Sequence, residues 1–150
     1  MTDENAVLQT RRHLPYPPDA VYAAFVDPER LARWWGPAGF TNTFAQCDVV
    51  VGGEWVFTMH GPDGRDYPNR SVFAALDPGR RVVIEHVCAP LFALTVTLAA
   101  VEGGTELHWA QDFRDRAVAD ALRAVCEPAN EENLDRLHAE LRAGEAADKR

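Results

Sequence analysis

The chain is predicted to be an α+β domain: a curved antiparallel sheet of about seven strands wrapped around one long C-terminal helix, with two short helices after the first strand. Three observations lead there. Turn-forming pairs cut the stretch from Phe40 to Phe113 into runs that alternate apolar and polar side chains, as half-buried strands do. From Asp115 onward the apolar period becomes helical. The length of 150 residues, 47% of them hydrophobic, suits one domain with a sizeable core.

The elements follow in order. Residues 1–6 and about 143–150 are polar without periodicity and are expected to fray, leaving an ordered core of about 7–142 in a single domain spanning 1–150. Val7 to Leu14 reads as the first strand, with Leu8, Thr10, Arg12 and Leu14 on one face. Pro15-Tyr16-Pro17-Pro18 ends it, because proline lacks the N–H that a ladder needs. Val21 and Phe25, four apart, give a short helix its core-facing side. Asp27-Pro28-Glu29 starts a second helix with an N-cap acceptor, a proline at the first helical position and an acid near the positive end. That helix carries Leu31, Trp34 and Trp35, and Gly36-Pro37 stops it. Gly52-Gly53, Gly61-Pro62-Asp63-Gly64, Asp77-Pro78-Gly79 and Gly103-Gly104 then separate the strands of a meander. In the terminal helix Val118, Ala121, Leu122 and Val125 form one stripe and Leu134, Leu137 and Leu141 another. Pro128 should kink or split it.

Charge narrows the partners. Fifteen Lys and Arg against 23 Asp and Glu give −8 at pH 7. Nucleic acid and membrane insertion are excluded as the main business, since nucleic acid demands clustered cations and no apolar run approaches the ~20 residues of a bilayer span. The opening Met1-Thr2-Asp3-Glu4-Asn5 lacks the plan of a secretory signal. Cys47, Cys88 and Cys126 are odd in number and have no metal-ligand spacing. A cytoplasmic protein with unpaired thiols is expected.

Several motifs, in order, carry a resemblance. Val21-Tyr22-Ala23-Ala24-Phe25-Val26-Asp27-Pro28-Glu29-Arg30-Leu31 followed by Trp34-Trp35-Gly36-Pro37 resembles the opening of the heat-shock-protein-90 ATPase activator homologue family. So do Gly52-Gly53-Glu54-Trp55-Val56-Phe57, Met59-His60-Gly61-Pro62-Asp63-Gly64 and Asp66-Tyr67-Pro68-Asn69. Ala129-Asn130-Glu131-Glu132-Asn133-Leu134-Asp135-Arg136-Leu137 resembles the terminal helix of one bacterial branch. The likeness runs from about Val7 to Leu141. Membership would place the chain in the START-like (SRPBCC) superfamily and implies a helix-grip fold, with an apolar cavity between the concave sheet and the last helix. It implies no reaction, because that superfamily includes lipid carriers, polyketide cyclases and co-chaperone domains. The Gly-Trp pair of some relatives is absent, and Asn130 stands near its place.

Candidate cavity residues come from the concave parity and the helix stripe. Trp34, Phe40, Trp55, Phe57, Trp109 and Phe113 are the aromatic ones, with Trp35 and Phe73 beside them; an ordinary aromatic core is the plainer reading of the same set. Met59, Ile84 and Leu94 join from the sheet, and Leu134 and Leu137 from the helix. Three polar residues sit among them. Arg12 faces inward and needs a partner, for which Asp48 is a candidate; it is either a structural ion pair or an anchor for a ligand oxygen. His86 is a satisfied core histidine or a general base. Gln111 completes the set. His13, His60, His108 and His138 are scattered at no zinc spacing, and no metal site is expected. Glu131 and Glu132 are expected in a first helical turn after Asn130. Neither a G-x-S-x-G elbow nor an H-E-x-x-H, Walker or G-x-G-x-x-G motif is present. The leading expectation is non-catalytic binding of a small apolar or amphipathic molecule, without a cofactor. A co-chaperone-like module acting on a chaperone ATPase and a polyketide cyclase or aromatase-like enzyme are the alternatives.

Overall fold

The computed structural model describes residues 4–148, with side chains over 4–145. After a 3-10 turn at Glu4–Ala6, β1 (Val7–Leu14) leads into α1 (Pro18–Val26) and α2 (Pro28–Trp34). Six strands follow: β2 (Thr41–Cys47), β3 (Glu54–His60), β4 (Asp66–Asp77), β5 (Arg81–His86), β6 (Phe92–Val101) and β7 (Gly104–Asp112). One long helix, α3 (Arg116–Asp148), closes the chain. The strands form one sheet in the order β1-β7-β6-β5-β4-β3-β2, and every neighbouring pair is antiparallel. A meander would leave β1 alone; instead it returns to β7, setting Leu8 opposite Gln111 and Thr10 opposite Trp109. This is the helix-grip architecture that the sequence predicts.

Local chemistry explains the boundaries. Asp27 closes α1 through its backbone N–H and opens α2 through its carboxylate, which accepts from Glu29 N at 3.1 Å. Pro68 sits inside β4 but opposite Thr58 of β3, in the part of β4 that extends past β5, so its missing N–H costs no ladder bond. Register shifts at Phe44/Gln46 and Phe73/Ala75 add residues to β2 and β4, the kind of bulge that bends a sheet. The predicted parity holds: Trp55 and Phe57 are buried on the concave face and share one core with Leu134, Leu137 and Leu141.

The terminal helix differs from its expectation. Asp115 caps it, accepting from Ala117 N at 2.8 Å, and Pro128 lies within it without splitting it. Ala119 is the buried residue of its first half, with Val118, Leu122 and Cys126 packed beside it against Leu8 and Phe113. Ala121 faces solvent, and Val125 is 69% exposed. The capping aspartate sets the helix phase, which spacing alone left open by one position. Glu131 and Glu132 stand inside the helix rather than in a first turn. Structure also extends past both expected limits, to Glu4–Ala6 and to Asp148; residues 1–3, 149 and 150 lie outside the described residues.

Three polar clusters pin α3 to the rest. Arg136 donates through Nη1 to Trp35 O, Gly36 O and Pro37 O, each at 3.0 Å, and through Nη2 to Arg33 O at 2.8 Å. One guanidinium thus serves the carbonyls that α2 leaves open at its end. Glu140 accepts from Arg30 Nε at 3.1 Å and from Arg33 Nε at 2.9 Å. Arg12 reaches Asp135 at 2.8 Å and Glu131 at 3.0 Å. Asp48 is therefore not its partner. β1 and β2 are opposite edges of the sheet, so a residue that follows β2 is out of reach, and Asp48 instead accepts from Gln46 Nε2 at 2.9 Å.

Burial pushes the Glu140 carboxyl up, but hydrogen bonds and charge from Arg33 and Arg30 outweigh it and leave its pKa below the ordinary value. The stability it brings is complete above the ordinary glutamate value and is lost as pH falls through the lower folded value. Glu140→Gln should therefore lower the urea midpoint at pH 7 and lose less further stability than the parent below pH 4.5. Equal midpoints for the two proteins at pH 7 would contradict this pinning role.

Candidate functional site

α3 seats on the sheet at its leucine-rich half and again near its start, where Val118, Ala119 and Leu122 pack on Leu8 and Phe113. Beneath the turns between these two contacts lies a pocket of about 260 Å³. β3 to β7 contribute Phe57, Met59, Asn69, Ser71, Ile84, His86, Leu94, Trp109 and Gln111 to its wall, Phe113 follows β7, and the segment after α2 contributes Trp35, Gly36 and Pro37. Pro90 and Phe92 close one side, and Cys126, Ala129, Asn130 and Asn133 form the roof. No Asp, Glu, Lys or Arg lines it.

Its polar groups are neutral amides, a hydroxyl, a thiol and an imidazole. Asn130 Nδ2 donates to Gln111 Oε1 at 3.1 Å. Among the described residues this leaves Gln111 Nε2 and Asn130 Oδ1 without a partner, one donor beside one acceptor. Asn133 donates to Trp34 O at 3.2 Å. The indole nitrogens of Trp109 and Trp55 are buried and unpartnered. His86 stacks on Phe92 at 4.6 Å and lies 2.7 Å from Pro90 O through Nδ1. Burial lowers its pKa, against the pull of hydrogen bonds at Pro90 and Cys88. Burial also pushes the Cys126 thiol up, and pushes that of Cys47, away from the pocket, to about 11 with help from Asp48. Among the described residues, no three His, Cys, Asp or Glu side chains gather as metal ligands. A larger groove of about 760 Å³ lies between Pro15–Ala23 and the end of α3. Its charged lining is Arg30, Arg33, Glu140 and Glu145, and Glu140 already pairs with both arginines.

Of the sequence-predicted site residues, the structure brings Phe57, Met59, Ile84, His86, Leu94, Trp109, Gln111 and Phe113 to the pocket. Six lie elsewhere. Trp34 is buried under α1, its indole donating to Ala24 O at 2.9 Å, because α2 still runs through it. Trp35, one residue later, has left the helix at φ −65° and ψ 135°, and it is this ring that reaches the pocket. Trp55 has the right parity but is covered, with Trp35, Phe44, Phe57 and Phe73 around its ring. Phe40 packs on Tyr67 at 5.9 Å, outside the pocket. Leu134 and Leu137 fill the core where α3 touches the sheet. Arg12 holds α3 from outside the pocket. Sequence reasoning missed Asn69 and Ser71, which share parity with Phe73 and could have been found by counting back from it. It also missed Cys126, Ala129 and Asn133, a helical stripe of small and polar residues that hydrophobic periodicity does not register.

A sheet gripping a terminal helix around a neutral pocket defines a START-like protein. The chain belongs to the family described as activator of Hsp90 ATPase homolog 1-like protein, whose model matches residues 15–142. A crystal structure from Rhodobacter sphaeroides is 28% identical with a TM-score of 0.82, covering 93% of this chain and 94% of its own. One from Chromobacterium violaceum is also 28% identical, at TM-score 0.79 over 89% of this chain and 95% of its own. The solution structure of an AHSA1-like protein from Aeromonas hydrophila shares the fold at 22% identity and TM-score 0.71, covering 92% of this chain and 93% of its own. No curated protein matches. No helix among the described residues is long and apolar enough to cross a membrane.

Because burial lowers the His86 pKa, its NMR titration midpoint should fall below 6.5. As pH drops from there toward the folded value, the unfolded chain takes up a proton that the folded chain refuses, so stability falls across that window. A midpoint above 6.5 would show a charged, partnered ring in the resting protein.

Proposed function

We propose that the protein binds a small, uncharged, amphipathic molecule in the pocket between the concave sheet and α3. The observation that carries this reading is the composition of the wall: aromatic and aliphatic on most sides, with an open donor and acceptor at Gln111 and Asn130 and no charge. Binding sites are commonly apolar hollows with a few convergent polar groups. An anion would find no cation there, whereas a phenol or amide could meet both open groups. Size limits the ligand further. An apolar cavity of about 150 Å³ holds benzene, so 260 Å³ suits a molecule of one or two rings and does not enclose a sterol.

The aromatase-like reading draws less support, because Arg12 is committed to Glu131 and Asp135 outside the pocket. The family description favours a second reading, contact with a chaperone ATPase. Val50 and Val51, 61% and 66% exposed between β2 and β3, are apolar side chains that such a contact would use.

Calorimetric titration with 2-naphthol, naphthalene-2-carboxamide and 2-naphthoate tests the ligand class. The two neutral compounds should bind and raise the melting temperature, a ligand at 100 times its Kd adding about 2.7 kcal/mol. Naphthoate should bind at least about tenfold more weakly, for want of a cation. Ala129→Phe should abolish binding while costing about 1–3 kcal/mol at most. Silence from all three compounds, or unchanged binding by Ala129→Phe, would refute the reading.

A further inference from the structure

One couple, the pocket-lining His86 and its neighbour Cys88, offers chemistry beyond that binding role. Cys88 Sγ lies 3.4 Å from His86 Nε2, nearer than its other acceptor, Arg70 O, at 3.9 Å. The contact from His86 Nδ1 to Pro90 O at 2.7 Å is favourable only if Nδ1 carries a proton. A neutral ring carries only one of the two protons that Pro90 O and Asn69 Oδ1 call for, and the tautomer bonded to Pro90 O leaves the lone pair on Nε2, 3.4 Å from the thiol sulfur. Asn69 donates Nδ2–H to Tyr67 O at 2.8 Å, which turns its Oδ1 toward the same Nε2, also at 2.8 Å. Lone pair opposes lone pair there until Nε2 gains a proton. Once it does, both ring N–H groups have an oxygen to bond. Burial keeps the ring uncharged beforehand. A nucleophile on a base, and the base on an orienting acceptor, is the arrangement of an activated thiol.

We propose that Cys88 and the pocket-lining His86 form a thiol–imidazole couple that captures small uncharged α,β-unsaturated carbonyl compounds as thioethers. This rests on the pocket reading, since the pocket would gather and hold the electrophile. The Cys88 S–H proton passes to His86 Nε2 as the sulfur electron pair forms a bond to the β-carbon. The C=C π pair moves toward the carbonyl as an enolate, and the proton on Nε2 then goes to the α-carbon. One S–H bond and one C=C π bond are exchanged for one C–S and one C–H bond, with no other reactant. Acyl transfer would further need donors over an oxyanion and a water for release; addition needs only the two groups present. The uncharged wall selects neutral compounds, and the open Gln111 Nε2–H suits a carbonyl oxygen. Cys126 also lines the pocket but, among the described residues, has no imidazole in hydrogen-bond reach.

The test uses cyclohex-2-enone as electrophile, with cyclohexanone as its unreactive analogue, and peptide mass spectrometry to follow each cysteine. Cys88 should gain one enone mass faster than Cys47 and Cys126, and excess cyclohexanone should slow that gain. His86→Gln should cut the Cys88 rate by about 10²-fold, the lower range for a general base, with the other two cysteines unchanged. His86→Phe, which keeps a ring on Phe92, should do the same and covers a glutamine variant that fails to fold. If cyclohexanone binds by calorimetry but Cys88 reacts no faster than Cys126, or no slower in both variants, the couple is refuted and the pocket stands. If Cys88 reacts fast but cyclohexanone neither binds nor protects, pocket-directed capture is refuted together with the binding reading.

Discussion

The concave side of this protein depends on where α3 is pinned. A straight helix cannot follow a curved sheet along its whole length, so α3 touches it near its start, at Leu8 and Phe113, and again at its leucine-rich half, and leaves space between. Arg136 on four backbone carbonyls, Glu140 between Arg30 and Arg33, and Arg12 on Glu131 and Asp135 all act from Glu131 onward. Leu134, Leu137 and Leu141 fill the same stretch with core. The three polar clusters fix the second of these contacts.

The pocket is what remains. Its roof is made of residues too small or too polar to fill it, Ala129, Asn130 and Asn133. No arginine of the clamp lines the pocket, although Arg136 bonds the carbonyls of Trp35, Gly36 and Pro37, which do. Asn133 belongs to both parts, lining the pocket and donating to Trp34 O. The same wall holds His86 among residues that include no Asp, Glu, Lys or Arg.

Much of the architecture was readable because its signals are local. The strand parity of Trp55, Phe57 and Met59, the capping at Asp27 and the turn glycines each depend on a few adjacent residues. The pocket was readable only in part. The sheet side follows from alternation and yielded Phe57, Ile84, His86, Trp109 and Gln111. Distinguishing Trp34 from Trp35 required knowing on which residue α2 stops. Separating Trp55, a core ring, from Trp109, a wall ring, required knowing where Trp35 lands. Arg12 was rightly read as inward, but its partners come from a helix more than a hundred residues later, a distance at which pattern says nothing. The roof stripe escaped because it is not hydrophobic.

The most direct measurement is an amide and indole NMR titration of the whole chain with naphthalene-2-carboxamide. Trp109, Gln111 and Asn130 all line the pocket, so the indole N–H of the first and the side-chain amides of the other two should report a ligand there. They should shift together and saturate at one dissociation constant, with the groove at Pro15–Ala23 unmoved. Shifts confined to that groove, or no saturable shift at Trp109, Gln111 and Asn130, would contradict the account.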